Sequence, residues 1–511
     1  MIEAMDEDNK IPEDFSILNL YGKTYDSEET EAFYRDLNLL QVIDRLASRW
    51  GNSIRKYFMY LPENPQEEAY RREVYGDVKK DAVYRALISF TEKMEEVRTL
   101  CVNKETVFNP MQSAVWKLRE TAAYGDAYEA LERELSEADL ASEGMQEFLE
   151  ILRKILKDEE YVRVLKQVRK VLREIGGLRF IITYDKDRIS VALGEVSGDG
   201  AYEEWLDGGT GEPGESLQNP FIADALLTEL EVACLGIVRK KKPDVFRELK
   251  SVAESYGEFG YEVLRRFEQE VRYYLSYCSL QRNMEQAGYV FATPETDELH
   301  RMEAKGLYDM ALALVAMSDG RTVIPNDFYY DKRDRFFVLT GPNQGGKTTF
   351  ARSLGQLVYL TKMGLDVPAE SANVHHFPNI QTHFSIEESV ETGRGKLMEE
   401  LVRLAPMMET HRQGSFVVIN ELFTTAANYD AQIMGKRVLE HFIGLGCMGI
   451  YVTHIKELAD DRDGVVSLRA MLNDSGIQTF EIRRGEAEDT ACAANQVNKY
   501  RLTYEQLKER L

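Results

Sequence analysis

Cysteine is scarce in this 511-residue chain, and its five copies, Cys101, Cys234, Cys278, Cys447 and Cys492, stand far apart with none in a C-x-x-C pair. An odd, scattered set in a long chain points to a reducing compartment and buried thiols rather than to a disulfide framework. Long apolar runs are missing too, so no segment reads as a membrane span. The N-terminus, MIEAMDEDNK, is acidic and has no apolar stretch of the signal-peptide kind; a cytoplasmic protein with no membrane partner is expected. Positive charge is also short. Lys and Arg number 63 against 87 Asp and Glu, a formal net charge of −24. Bulk electrostatics therefore argues against indiscriminate nucleic-acid binding, because any phosphate contact would need a local basic patch. The dense basic cluster Arg239-Lys240-Lys241-Lys242 precedes Pro243. It reads first as a solvated helix C-terminus, which suits the helix dipole, and second as a nucleic-acid contact.

What the chain does have is concentrated in RFFVLTGPNQGGKTTF, residues 335–350. Phe336 to Leu339 form a short apolar run that reads as a buried strand. Gly341-Pro342-Asn343-Gln344-Gly345-Gly346-Lys347-Thr348 follows at once and fits G-x-x-x-x-G-K-[ST], the phosphate-binding loop, with Thr349 directly after it. Glycines let the backbone wrap closely, so several N–H groups converge on one anion-sized hollow. The helix expected after the loop, through Phe350, Leu354, Leu357, Val358 and Leu360, adds the positive end of its dipole. Lys347 is expected to reach the β- and γ-phosphates, and the Thr348 hydroxyl to ligate Mg²⁺.

The length suggests about three domains. Residues 1–30 are polar and read as an N-terminal tail. From residue 31 apolar positions step by three and four, as in Phe33, Leu37, Leu40, Ile43 and Ala47, which predicts helix. Further helices are expected over Tyr84–Thr99, Asn109–Ala141 and, as one long element, Met145–Ile175, stopped by Gly176-Gly177. The period then changes: LRFIITYDKDRISVAL predicts two short strands around Tyr184-Asp185-Lys186-Asp187, followed by a Gly-rich loop over 197–216. Helix is expected again from Phe221, and a second long one over Glu262–Gly288 has Leu264, Phe267, Val271, Tyr274 and Cys278 near a coiled-coil seam. Residues 31–290 thus read as a long-helix domain with a small β insertion near 178–216. After Ala292-Thr293-Pro294 strands and helices alternate, and 291–511 reads as an α/β P-loop ATPase domain.

A phosphate loop needs an acidic strand beside it. Ser415 to Glu421 supplies one, with Glu421 suited to orient an attacking water and Asn420 where P-loop enzymes carry an Mg²⁺-holding Asp. An amide accepts a hydrogen bond from a metal-bound water but adds no charge, so Mg²⁺ binding should suffer more than ATP binding. A third strand, Gly449 to Thr453, ends at His454, placed to sense a γ-phosphate.

In order and spacing, TGPNQGGKTTF, MGLDVPAE, TGRGKLMEEL, VVINELFTTAANYDA and YVTH resemble the ATPase domain of the DNA mismatch-repair MutS family, an ABC-type fold. YRDLNLLQVIDRLA resembles the entry to that family's helical lever domain, and the helix pair around the β insertion its lever and reduced clamp. The resemblance implies ATP and Mg²⁺ as cofactors, held by Gly341 to Thr349 with Asn420. It implies Glu421 and His454 as catalytic residues, with Thr348, Asn420 and Glu421 at the metal. Gly393 and Arg394 would complete the nucleotide site of a second subunit, hence a homodimer through the ATPase domains. Tyr429 and Asp430 match a Tyr-Asp pair that follows the acidic strand in the family. DNA is the implied partner, with repair or recombination proteins beside it. The chain departs from the family at Asn420, at Leu422 to Thr425 in place of a glycine-rich turn, at Gly395-Lys396 in place of Ser-Thr, and at Val323 in place of an adenine-stacking aromatic. No mismatch-reading or connector domain is recognisable before residue 31. Two functions follow as expectations: a DNA-dependent ATPase clamp on mismatched, branched or duplex DNA, and an ATP-switched protein scaffold without DNA recognition.

Overall fold

The computed structural model of the chain describes residues 11–18, 32–62, 64–106, 109–178, 180–185, 188–193, 227–256, 260–297, 301–385, 395–409, 413–460, 462–473, 475–486 and 508. The expected N-terminal tail falls partly outside them; the loop 197–216, Phe221, Gly393, Arg394 and Cys492 fall wholly outside. In chain order the helices are α1 (Ala32–Asp36), α2 (Leu39–Trp50), α3 (Arg55–Phe58), α4 (Pro65–Val78), α5 (Asp81–Thr106), α6 (Pro110–Ser136), α7 (Glu143–Lys157) and α8 (Glu159–Gly176). The hairpin β1 (Phe180–Asp185) and β2 (Arg188–Leu193) follows, antiparallel as expected. Then come α9 (Glu229–Lys241), α10 (Pro243–Ser255) and α11 (Glu262–Gln286). The remainder alternates: β3 (Glu295–Asp297), β4 (Met302–Leu307), α12 (Met310–Ser318), β5 (Asn326–Tyr330), β6 (Phe336–Thr340), α13 (Lys347–Lys362), β7 (Ser371–His375), β8 (Ile380–Phe384), α14 (Lys396–Met407), β9 (Phe416–Asn420), α15 (Asn428–Gly444), β10 (Met448–Val452), β11 (Val465–Leu472) and β12 (Gln478–Arg484).

Contacts gather these elements into two compact units, Met1–Ile17 with Asp77–Val271, and Leu18–Gly76 with Arg272–Leu511. The division falls inside α4 and inside α11, whereas the sequence reading draws its boundaries near 30 and 290. The reason lies on α13, which is buried along nearly its whole length. Its outer face is covered by the earliest helices: Gln356 donates to the Leu37 carbonyl at 2.9 Å and the Tyr359 hydroxyl to the Phe58 carbonyl at 2.7 Å. A Cβ on Gly355 would stand 2.5 Å from the Leu37 side chain, so only glycine permits that approach.

The helical unit is built on α5 to α10, with a core that includes Val115, Trp116, Val164, Val168, Phe246 and Leu249. The single helix expected over Met145–Ile175 is two. Asp158 leaves helical geometry at ψ 130 and its carboxylate accepts the Tyr161 N–H, capping α8. Apolar periodicity runs unbroken across this joint, so only the cap marks it. The Arg239–Lys242 cluster ends α9 in full exposure, as its reading as a solvated C-terminus requires.

In the other unit a six-stranded sheet runs β12-β11-β6-β10-β9-β8. Every neighbouring pair in it is parallel except β11 with β12. A second sheet runs β3-β7-β4-β5. β6, β8, β9 and β10 are buried throughout, matching strands covered on both faces. Among the described residues no helix is long and apolar enough to cross a membrane.

Candidate nucleotide site

Parallel register sets this site. Val452 lies opposite Leu339 on one side and Asn420 on the other, so β6, β9 and β10 end together and their exit residues share one edge of the sheet. From β6 the chain turns through Gly341 (φ 131), Gln344 (φ 61) and Gly346 (φ 85) into α13. A Cβ at Gly341 would lie 3.0 Å from the Ala470 methyl, so the loop closes on β11 only because that position is bare. Lys347 is almost fully buried, and its Nζ donates to the Gly341 and Pro342 carbonyls at 2.9 Å each. The ammonium is thus held across the mouth of the loop. Thr348 and Thr349 stand in the first turn of α13, where unpaired backbone N–H groups gather.

The three strand ends meet through side chains. The Thr348 hydroxyl donates to Asn420 Oδ1 at 2.9 Å. Glu421 adopts a left-handed backbone (φ 55), with its N–H on the Val452 carbonyl at 2.9 Å. Its Oε1 lies 3.1 Å from His454 Nε2. That hydrogen bond holds the Glu421 carboxyl below its ordinary range against the effect of partial burial, helped by the charges of His454, Lys347 and Lys396. Glu421 is therefore a carboxylate at neutral pH. The turn runs on into Leu422 to Thr425, where Phe423 is also left-handed (φ 62).

A cavity of about 540 Å³ opens over the loop and takes in Asn343 to Phe350 together with Glu421. Leu312, Val323, Ile324 and Phe480 give it apolar surface, beside Asp309, Arg321, Thr322 and Asn326. Phe480, half exposed and with φ 62, stands beside the loop, its side chain 3.5 Å from where a Gly346 Cβ would be. Asn326 fixes it there by donating to the Phe480 carbonyl at 3.2 Å and accepting the Ile482 N–H at 2.7 Å. Sequence reasoning missed Phe480: a lone aromatic on a late strand carries no motif, and only folding brings β12 to the loop. A larger cavity of about 880 Å³ lies between the two sheets against β4, β5 and β12. It contains none of Asn343 to Thr349, Asn420, Glu421 or His454, so the smaller cavity is the candidate site.

Gly341 to Thr349, Asn420, Glu421 and His454 are thus brought to one edge. Gly393 and Arg394 lie outside the described residues. Lys396 opens α14, capped by Gly395. Tyr429, about 71% exposed, and Asp430 lie in the first turn of α15. Among the described residues no group of three or more His, Cys, Asp or Glu is gathered to hold a metal.

The glycine loop between a central parallel strand and a buried helix places this unit in the α/β class expected from the sequence. Residues 337–486 match the family MutS domain V. The chain is 28% identical over 213 residues to the DNA mismatch repair protein MutS of Chlamydia muridarum, covering 40% of this chain and 26% of that one. It is 31% identical over 174 residues to the MutS protein of Symbiobacterium thermophilum, with 34% and 20% covered. With the DNA mismatch repair protein MSH6 of Arabidopsis thaliana it shares 31% over 175 residues, 34% of this chain and 13% of that protein. The matched stretch thus spans about an eighth to a quarter of the length of these relatives. Residues 337–486 are thus similar to MutS domain V, over less than half of the chain.

Proposed function

We propose that this chain binds ATP with Mg²⁺ in the cavity over Gly341–Thr349, hydrolyses it slowly, and uses the cycle as a dimeric clamp on DNA. The observation that carries this reading is the meeting of Thr348 with Asn420 and of Glu421 with His454 beside one glycine loop. The residues fit the cofactor. The glycine loop leads into the first turn of α13, Lys347 reaches the Gly341 and Pro342 carbonyls beside it, and Phe480 with Val323 and Ile324 offers apolar surface for a base. Bound Mg²⁺ would supply positive charge to the phosphates. Thr348 and Asn420 would orient it, Lys347 would leave the Gly341 and Pro342 carbonyls for phosphate oxygens, and Glu421 would take a proton from the attacking water while His454 holds the carboxylate in place. Asn420 supports slow turnover, since an uncharged amide attracts the cation less than a carboxylate does.

The DNA part of this reading rests on relatives named as DNA mismatch repair proteins, and the second-subunit part on the resemblance of Gly393 and Arg394 to a trans-acting segment. ATP hydrolysis measured alone and with homoduplex, mismatched and branched DNA tests it. Stimulation by at least one DNA form is the expected result; no binding to any of them at low salt would sink the clamp. The −24 charge and Asn420 favour a second reading, an ATP-switched scaffold for a protein partner, which predicts nucleotide binding with no response to DNA.

A further inference from the structure

One buried acid near the site has no part in that chemistry. Glu400 lies on the second turn of α14 and is 3% exposed. Its Oε2 accepts the Phe423 N–H at 3.1 Å, while its Oε1 is buried with no hydrogen-bond partner among the described residues. An acid with an orphan oxygen is a poor choice for stability alone, since an apolar side chain of similar volume would avoid the desolvation cost. Burial pushes its carboxyl up, opposed by the Phe423 N–H and by the charge of Lys396.

The group it holds explains its presence. Glu421 (φ 55) and Phe423 (φ 62) both occupy the left-handed region, two residues apart. For non-glycine residues each such position costs about 1–2 kcal/mol, so this turn needs anchors. The Glu421 N–H is anchored on the Val452 carbonyl and the Phe423 carbonyl receives the Ala426 N–H at 3.1 Å. The Phe423 N–H has Glu400. Leu422 and Phe423 are buried, which leaves Glu421 as the member of the turn whose side chain reaches the cavity. Lys396, at the start of the same helix, acts electrostatically on both Glu400 and Glu421.

We propose that Glu400 is a positioning residue: by holding the Phe423 N–H it sets the turn that aims Glu421 at His454, and so ties the placement of α14 to the placement of the hydrolytic carboxylate. The inference rests on the nucleotide-hydrolysis reading above for its kinetic consequence, but not for its structural one. Two measurements on the full chain test it. In amide hydrogen exchange, the Phe423 N–H is protected in the native protein, stays protected in Glu400→Gln, whose amide oxygen accepts the same bond, and exchanges at least tenfold faster in Glu400→Ala. In steady-state kinetics, Glu400→Ala loses about ten- to a hundredfold in kcat with KM for ATP and fluorescent-ATP affinity within twofold of native, as expected for a misaimed group. Glu400→Gln keeps at least half the native kcat. A Phe423 amide already unprotected in the native chain overturns the proposal, and so does a native kcat in Glu400→Ala or an equal loss in Glu400→Ala and Glu400→Gln. If Glu400→Ala does not fold, native exchange and the kcat of Glu400→Gln decide. A native chain that binds ATP without hydrolysing it would refute the hydrolysis reading, while the exchange data would still judge Glu400.

Discussion

Lys347 holds an exchangeable place. Its ammonium donates to two neutral carbonyls, which a phosphate would displace because hydrogen bonds between two charged groups are roughly twice as strong. Lys347→Ala should therefore weaken ATP binding at least tenfold; a fluorescent-ATP titration with unchanged affinity would refute the site. Asn420 faces Thr348 across 2.9 Å, so Asn420→Asp adds a full charge beside the position where the cation would lie. We expect it to lower the Mg²⁺ concentration that half-saturates hydrolysis, with ATP affinity at saturating Mg²⁺ little changed. No movement in either metal dependence or rate would show that this position does not meet the ion. Phe480 makes a different kind of contribution. Phe480→Ala should cost about 1 kcal/mol of ATP affinity, the worth of one aromatic stacking contact, and leave pyrophosphate binding unchanged. Equal losses for both ligands would mean the ring props the loop rather than meets the base.

At the scale of elements, helix ends decide more than helix interiors. Asp77, in α4, receives the Ala141 N–H, the Ser142 N–H and the Ser142 hydroxyl, and so holds the start of α7. Burial would raise its carboxyl, but Ser142, Ala141 and Lys80 together hold it below the ordinary range. A carboxyl depressed in the folded state stabilises above its unfolded pKa, and that contribution is lost as pH falls through the folded value. Asp77→Ala should thus destabilise by about 2–3 kcal/mol at pH 7, as for buried hydrogen bonds to a charged group. The gap to the native protein in urea melts should narrow below about pH 4; a pH-independent gap would assign the loss to packing. At the other end of α13, Lys362 is buried on Glu68 at 2.7 Å and on the Phe377 carbonyl. The Tyr273 and Tyr277 hydroxyls close on the carbonyls of Met363 and Asp366. The helix that starts at the glycine loop is thereby fastened at its far end to α4 and α11.

For the whole molecule, charge sets the terms of any DNA contact. With 24 more acidic than basic residues, long-range attraction to phosphate is absent, and affinity must come from a local patch. Binding to branched or mismatched DNA should then show a shallow salt dependence, with a log–log slope of magnitude below about 4, fewer phosphate contacts than a strongly basic clamp would make. A steep slope would reveal a basic surface that the net charge conceals.

The glycine loop between strand and helix, the strand ending at Asn420, the strand ending before His454 and the α/β character after residue 290 were legible because each is local: a few adjacent residues whose spacing follows from one strand, one turn or one helix. Other features were not local. The break at Asp158 was hidden because apolar periodicity continues across it and a single cap bond makes the joint. The grouping of residues 32–76 with the α/β unit was hidden because α13 needs its outer face covered, and nothing in α1 to α4 announces which partner they will cover. Phe480 and Glu400 carry no signal of their own. An isolated aromatic and an acid in an amphipathic helix are ordinary in sequence, and their chemistry appears only when β12 and α14 fold against the ends of β6 and β9. Sequence alone determined where the glycine loop falls between its strand and its helix, since that pattern is written in consecutive residues. What surrounds the loop and aims Glu421 was decided by the tertiary structure, because backbone register and buried hydrogen bonds join residues that the chain keeps far apart.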